Sequence, residues 1–209
     1  IQDIFKKAED YMFKDKIIES QSMRGKTIQT IITTLNEKNR REEQHSHRVS
    51  ILCKSIGEAL NLNEGKIEEL KTVGLLHDIG KIGIDENILN KNGRLTEIEF
   101  TEIKRHPEIG YRILSTVNEM LDLANYVLYH HERWDGSGYP KGLKGNDIPL
   151  VSRIIAIADA FDAMSSERSY RSSMPEQVII EELRNNAGIQ FDPQLVNVFI
   201  EKVLGKSSA

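Results

Sequence analysis

Histidines are the side chains of this sequence best suited to chemistry, because imidazoles bind metals and exchange protons near neutral pH. The chain has six of them: His45, His47, His77, His106, His130 and His131. His77 follows apolar residues such as Leu70 at helical spacing, which predicts a position on the buried face of its helix. The same spacing predicts inward positions for His45 and for the carboxylate of Asp159. His47 faces away from that stripe and is expected to be exposed.

Inward-facing histidines and acids need partners, because burying an unpaired polar or charged group is costly. Taken singly, each histidine is explained as a hydrogen-bonded core residue. Several on different helices, together with two acids, favour a shared metal site. The adjacent pairs His77–Asp78 and His130–His131 splay by about 100° on a helix, so each pair can address two ions. Nitrogen and oxygen ligands without a thiolate favour iron, manganese or another divalent ion over structural zinc.

The composition limits the class of protein that carries these residues. The chain has 209 residues, of which 39% are hydrophobic and 29% charged, so a globular domain with an appendage is expected. The net charge of −4 excludes the broad basic footprint of a protein that binds duplex nucleic acid, although local basic clusters stay open.

Localisation is predicted from the cysteine content and from the apolar runs. Cys53 cannot form an internal disulfide and lies among apolar residues at helical spacing, which indicates a buried thiol in a reducing compartment. No apolar run approaches the roughly 18 residues of a membrane span, so we expect a cytoplasmic protein with no span in this piece. The chain begins with Ile1 and not with Met, so we expect a fragment that lacks an upstream regulatory part.

Helical periodicity without strand-like alternation predicts an all-α fold. Residues 1–38 read as one or two long polar helices. They form either a linker or dimerisation arm, or a terminal helix folded back onto the core. Further helices are predicted at residues 43–61, 64–79, 97–104, 107–116, 119–131, 148–165, 175–187 and 192–203.

Boundary signals accompany several of these predicted helices. Thr96 to Glu99 and Ser173 to Glu176 have the sequence of capping boxes, and Asp192 before a proline indicates an N-cap. The glycine-rich stretch 132–149 is a long loop inside a helical domain, and such loops are usually functional.

Five sequence blocks carry a resemblance to a known family. They are HSHRV at 45–49, HDIGK at 77–81, RHPEIG at 105–110, HHERWDGSGYP at 130–140 and RIIAIADAFDAMSSERSYR at 153–171. Together they resemble the HD-GYP family, a branch of the HD metal-dependent phosphohydrolases, over roughly residues 42–200. The resemblance implies an HD-domain-like helical bundle at 42–209, and the polar helical pattern before it predicts a helical linker or signalling helix at 1–41.

The activity that the resemblance implies is hydrolysis of the bacterial second messenger cyclic di-GMP to pGpG, with GMP as a further product. A hydroxide bridging two metal ions would be the nucleophile. The family's metal ligands correspond to His45, His77, Asp78, His106, His130, His131 and Asp159. Asp78 is expected to bridge the ions, and Lys81 to touch the scissile phosphate or to orient the site. Both are expected to be catalytic.

Two metal ions, iron or manganese, are expected rather than three. Some family members hold a third ion with a glutamate four residues before the first histidine, and that position is Arg41 here. Glu42 lies one residue nearer, but its spacing places it differently on the helix. The sequence therefore predicts a binuclear site.

Substrate contacts are predicted from residues that resemble basic and aromatic family positions. Arg168 and Arg171 could offer forked donors to the phosphates, or form a solvated pair at a helix end. Tyr139 could stack on or hydrogen-bond to a guanine. Trp134 is expected to pack the loop against the core.

Alternative functions and partners stay open at this point. The same chemistry could act on another cyclic dinucleotide such as cyclic GMP-AMP, or the domain could bind a messenger or partner without catalysis. Besides cyclic di-GMP, the expected partners are an upstream sensor domain, diguanylate cyclase domains and a second copy bound through the N-terminal helix.

Overall fold

The computed structural model describes residue 30 and residues 40–91, 93–166 and 173–206. The chain divides into two compact units, Ile1–Arg40 and Arg41–Ala209. The predicted linker helix lies almost wholly outside the described residues. Its separation from a domain at 42–209 stays a prediction, and nearly all of the described residues belong to the second unit.

Nine α-helices occur in the described part of the chain, and no strand does, which confirms the all-α prediction. We number them α1 (Arg40–Ala59), α2 (Glu64–Leu76), α3 (Glu86–Leu89), α4 (Glu97–Ile103), α5 (His106–Leu114), α6 (Leu121–Leu128), α7 (Leu150–Ser165), α8 (Glu176–Asn185) and α9 (Pro193–Val198). Short 3₁₀ segments span Ile79–Gly83, Asn118–Met120 and Gly145–Asp147, and a π-helical turn spans Phe199–Val203.

Several helix ends follow the sequence signals. The side chain of Thr96 accepts a hydrogen bond from the amide of Glu99 at the start of α4, and the side chain of Glu99 accepts one from the amide of Thr96. The first predicted capping box is therefore confirmed. Asp192 caps α9 as predicted. The second capping box is wrong: Pro175 occupies the N-cap of α8, which leaves Ser173 two residues too early to cap it.

The predicted helix at 64–79 is too long, because α2 ends at Leu76. The chain then turns through Asp78 into the 3₁₀ segment, where Gly80 lies directly against the start of α5. A Cβ at Gly80 would lie 1.9 Å from the carbonyl oxygen of His106. Only glycine permits this approach, which brings the end of α2 beside α5.

The core of the second unit is apolar and fully enclosed. Val49, Cys53 and Ile56 of α1 have no exposed surface, and neither do residues of α2, α6 and α7. The buried thiol predicted for Cys53 is therefore confirmed. His45 and Asp159 lie on helices of this core, and the other site residues lie at or just beyond helix ends, so the packing of the helices fixes their positions.

Candidate metal centre

Five parts of the chain contribute histidines and acids to one cluster. The cluster side chains are His45 on α1, His77 and Asp78 after α2, His106 at the start of α5, His130 and His131 after α6, and Asp159 on α7. Three of the imidazoles are almost completely buried, with exposed fractions of 1% or less: His77, His106 and His130. All seven predicted ligands are therefore brought together, although their role in binding metal stays a proposal.

The buried imidazoles share one hydrogen-bonding pattern. Nδ1 lies 2.8 Å from the carbonyl oxygen of Gly74 in His77, 2.7 Å from that of Ile103 in His106, and 2.6 Å from that of Val127 in His130. A carbonyl oxygen can only accept, so each Nδ1 carries the proton. In a neutral ring Nε2 is then left with its lone pair, as in histidines that bind metals through Nε2.

The ligand atoms form two groups. His106, His130 and His131 make one, and His45, His77 and Asp159 make the other, with the atoms of each group within 4.8 Å of one another.

Asp78 lies between the two groups. Its Oδ1 is 3.2 Å from His106 Nε2, and its Oδ2 is 3.2 Å from His77 Nε2 and 3.6 Å from His45 Nε2. One carboxylate thus faces both groups, as a bridging ligand would.

Electrostatics differ between the two groups. Burial lowers the pKa of His106 and, more strongly, of His130, and it lowers that of His131 to about 4. Burial also disfavours charge on His45, but contacts with Asp159, Asp162 and Asp78 outweigh it and raise its pKa to about 11. The first group is therefore neutral, whereas His45 is protonated among carboxylates and must lose a proton to bind a metal ion.

The carboxylates of Asp78, which is buried, and of Asp159, which is partly exposed, remain ionised. Desolvation opposes the charge on Asp78, but Lys81 and His77 hold its pKa well below the ordinary range. His45 and His77 lower the pKa of Asp159 in the same way. The cluster therefore offers two anionic ligands at neutral pH.

The donor set fits divalent metal ions. His106 and His130 are neutral with Nδ1 protonated, so their Nε2 lone pairs face each other at 3.3 Å, close to Asp78 Oδ1. His77 Nε2 is buried and makes no well-aligned hydrogen bond among the described residues, although Asp78 Oδ2 lies 3.2 Å away. A cation between these atoms would relieve the repulsion and give His77 Nε2 a partner.

Lys81 is held by two acids. Its ammonium lies 2.7 Å from Asp78 Oδ2 and 2.8 Å from Glu42 Oε2. Burial disfavours its charge, but the two carboxylates raise its pKa above the ordinary value. Glu42 is thus engaged with Lys81, and the side chain of Arg41 lies outside the described residues.

Asp162 was missed by the sequence interpretation. It is 3% exposed, and its Oδ2 lies 2.7 Å from His45 Nδ1. Arg48 donates to both of its oxygens, at 2.6 and 3.0 Å. A signal existed, since Asp162 follows Asp159 by three residues and shares its helix face.

The glycine-rich loop places an aromatic ring against the cluster. Tyr139 stacks on His131 with 5.0 Å between ring centroids and 27° between planes. Its peptide bond to Pro140 is cis.

The predicted contacts of Arg168 and Arg171 lie outside the described residues, and His47 is exposed, as expected.

Glu132 organises this loop and was also missed. It is 3% exposed, and it accepts hydrogen bonds from the amides of Lys141 at 2.7 Å and Leu143 at 3.0 Å. Gly138 folds back so closely that a Cβ there would lie 2.3 Å from the amide nitrogen of Arg133. The loop is therefore tied to the residue directly after the paired histidines.

The cluster opens into a cleft of about 690 Å³. Polar residues of the centre line one part, including Asp78, Lys81 and Asp159, and apolar residues of α3 and α4 line another. A cavity of this size accommodates a small organic ligand.

Comparison with known proteins assigns the family. A family model described as HD domain matches residues 29–195, and the chain belongs to this family. The HD phosphohydrolase resemblance inferred from the motifs is thereby confirmed. The chain spans about half, or less, of the length of the curated relatives that it matches.

Two curated relatives are named for different cyclic dinucleotide substrates. The chain is 38% identical over 203 residues to a cyclic di-GMP phosphodiesterase of Thermotoga maritima, with 96% of this chain and 52% of that protein covered. It is 36% identical over 176 residues to 3'3'-cGAMP-specific phosphodiesterase 2 of Vibrio cholerae, with 83% and 34% covered.

Solved structures share the fold. The HD domain of the L. monocytogenes phosphodiesterase PgpH superimposes with a TM-score of 0.60 at 18% identity, covering 84% of this chain and 95% of that one. A cyclic GMP-AMP-specific phosphodiesterase of V. cholerae gives a TM-score of 0.59 at 24% identity, covering 77% and 44%. Within the described residues, no helix is long and apolar enough to cross a membrane.

Proposed function

We propose that this chain is the catalytic part of a metal-dependent phosphodiesterase that hydrolyses cyclic di-GMP to pGpG, with GMP as a further product. The observation that carries the proposal is the position of Asp78, whose two oxygens face two separate groups of histidine and aspartate ligands. The names of the relatives support the same class of substrate.

The proposed cofactor is a pair of divalent ions, iron or manganese, since the ligands are nitrogen and oxygen atoms. When bound, such a pair neutralises charge on the phosphoryl oxygens and makes a water molecule nucleophilic at neutral pH. His106, His130 and His131 would hold one ion, and His45, His77 and Asp159 the other, with Asp78 shared. Glu42 is paired with Lys81, which favours two ions over three.

The residues around the ligands would then bind and orient the substrate. Lys81 keeps its proton and fixes the Asp78 carboxylate at 2.7 Å, so it orients the bridge and presents positive charge to a phosphate in the cleft. Tyr139 would contact a base at the cleft wall. We further propose Arg168 and Arg171 as phosphate contacts, as the sequence motif suggests.

A second candidate substrate is cyclic GMP-AMP. A relative at 36% identity and a structural neighbour both carry that specificity in their names. Product analysis over a panel of cyclic dinucleotides separates the two. As proposals from the family resemblance, the protein acts in the cytoplasm, and its partners are an upstream sensor domain, diguanylate cyclase domains and a second copy of the chain.

The test is turnover of cyclic di-GMP by the metal-loaded chain and its variants, with metal content measured on the same samples. His77→Ala and Asp78→Ala are expected to reduce turnover by about 100-fold or more, because each removes a ligand of the centre. His47→Ala is the matched control. It deletes an exposed imidazole two residues from His45 and should retain full activity.

Two results would contradict the proposal. One is a metal-loaded chain that turns over no cyclic dinucleotide, which would indicate a binding module instead. The other is full turnover by His77→Ala, which would place the reaction elsewhere.

A further inference from the structure

The cleft extends beyond the metal centre along a wall of apolar side chains. The wall consists of Ile88, Leu89, Leu95, Phe100 and Ile103. Phe100 is 47% exposed, a large fraction for an aromatic ring that lines a cleft. An exposed apolar patch beside a polar cluster marks a binding surface.

Two aromatic rings border the same end of this cleft. The ammonium of Lys104 lies 4.7 Å from the ring centroid of Phe100 and 5.4 Å from that of Tyr139. This shared cation links the rings through cation–π contacts. Tyr139 also stacks on His131 of the metal centre, so the aromatic end of the cleft adjoins the ligands.

The wall is also tied to the metal centre through the backbone. His106 donates from Nδ1 to the carbonyl oxygen of Ile103 at 2.7 Å. Ile103 ends the helix that carries Phe100 three residues earlier, on the same face. The distance between the metal centre and Phe100 is therefore fixed. A bound molecule that contacts both would have to span that distance.

A nucleotide has the chemistry that this cleft accommodates. Its phosphate suits the metal ions and Lys81, whereas its base is flat and apolar on both faces. Stacking of a base on an aromatic side chain contributes about 1–3 kcal/mol. Aliphatic neighbours such as Leu95 and Ile103 would cover the edges of the ring.

We propose that Phe100 is a specificity-determining residue that stacks a purine base of the nucleotide whose phosphate lies at the metal centre. Lys104 holds the Phe100 and Tyr139 rings at one end of the cleft. The inference rests on the proposed function only in assigning the phosphate to that centre. It adds a base-binding wall on α4 that none of the five sequence blocks contains.

The test compares two probes that differ by the base. Dissociation constants of GMP and of ribose 5-phosphate are measured by calorimetry on the Mn²⁺-loaded chain. The wild type should bind GMP about tenfold more tightly than ribose 5-phosphate. Phe100→Ala should bring the ratio of the two dissociation constants close to one by weakening the binding of GMP alone. Phe100→Trp should keep the tenfold ratio. Ile98→Ala is the matched control, since Ile98 lies on the same helix, is 84% exposed and is outside the cleft lining.

The outcomes separate this inference from the proposed function. The proposal that Phe100 stacks a purine would be overturned by either of two results. One is a ratio of dissociation constants near one in the wild type, and the other is a ratio that Phe100→Ala leaves unchanged. Should Phe100→Ala fold poorly, Phe100→Leu keeps apolar volume without a flat face and is expected to lose the preference equally. A tenfold ratio that depends on Phe100, in a chain without cyclic dinucleotide turnover, would support the wall and contradict only the proposed function.

Discussion

At the residue scale, the histidines around Asp78 make hydrogen bonds that leave the atoms proposed to bind metal available. His77, His106 and His130 donate from Nδ1 to the carbonyl three residues earlier, so the local backbone orients each ring. His45 has a carboxylate, Asp162, in place of a carbonyl. A carboxylate partner makes the imidazole a stronger ligand.

Asp162→Asn is expected to weaken metal binding by about 10- to 100-fold. Asparagine can still accept from Nδ1 but lacks the charge that stabilises His45 and Arg48. Metal affinity measured by competition with a chelator checks this, and cyclic di-GMP turnover at limiting metal should fall in parallel. Asp122→Asn is the control, since Asp122 is exposed on α6. Unchanged affinity in Asp162→Asn would show that the negative charge of Asp162 does not contribute to metal binding.

Glu132→Gln tests the buried carboxylate of the loop. Glutamine has one oxygen for two amide donors, so one donor or the new amide group is left without a partner. We expect a loss of about 1–3 kcal/mol in the free energy of unfolding, measured with urea. Turnover should fall as well, because the loop positions Tyr139. Stability equal to that of the wild type would mean that the two amides find other acceptors.

At the element scale, α4 connects the cleft wall to the ligand His106. Its start is fixed by the capping box of Thr96 and Glu99. Lys91 also pairs with Glu99 at 2.6 Å. The short helix has little else to define its first turn, so the cap should matter.

Thr96→Ala is expected to destabilise the domain by about 1 kcal/mol, since the amide of Glu99 loses its acceptor. Urea denaturation measures the change. Thr96→Ser keeps the hydroxyl and is the matched control, with nearly wild-type stability expected. Equal losses in both variants would assign the effect to the methyl group and not to the cap.

The sequence predicted which side chains gather in the cluster better than it predicted the residues that support them, and the reason is physical. Cluster residues such as His77 and Asp78 lie in short blocks of reactive residues with a recognisable helix period. Asp162 meets His45 across 117 residues of sequence, a contact that only helix packing creates. The same limit applies to α2, which ends at Leu76 because Gly80 must approach His106, a contact that periodicity cannot indicate.

At the scale of the whole molecule, the candidate metal centre joins five segments of the second unit. Its side chains come from α1, the end of α2, α5, the end of α6 and α7. A bound ion would therefore link segments that otherwise meet through apolar packing and a few polar contacts, such as that between Arg48 of α1 and Asp162 of α7. Metal binding should stabilise the fold as well as the site.

Addition of Mn²⁺ to the metal-free chain is expected to raise the melting temperature by about 5–10 °C. An ion at 100 times its dissociation constant contributes about 2.7 kcal/mol to stability, and each kcal/mol shifts a domain of this size by about 2–4 °C. Scanning calorimetry with and without a chelator measures the shift. His77→Ala should show a smaller shift and His47→Ala the full one. An equal shift in both variants would indicate binding outside the cluster.

The most direct test of the central claim is a metal titration of the metal-free chain, with bound metal and cyclic di-GMP hydrolysis measured on the same samples. We predict no hydrolysis without metal, and activity that rises with bound metal until it saturates at two ions per chain. Full activity in the metal-free chain, or no hydrolysis with two ions bound, would contradict the assignment of a binuclear phosphodiesterase.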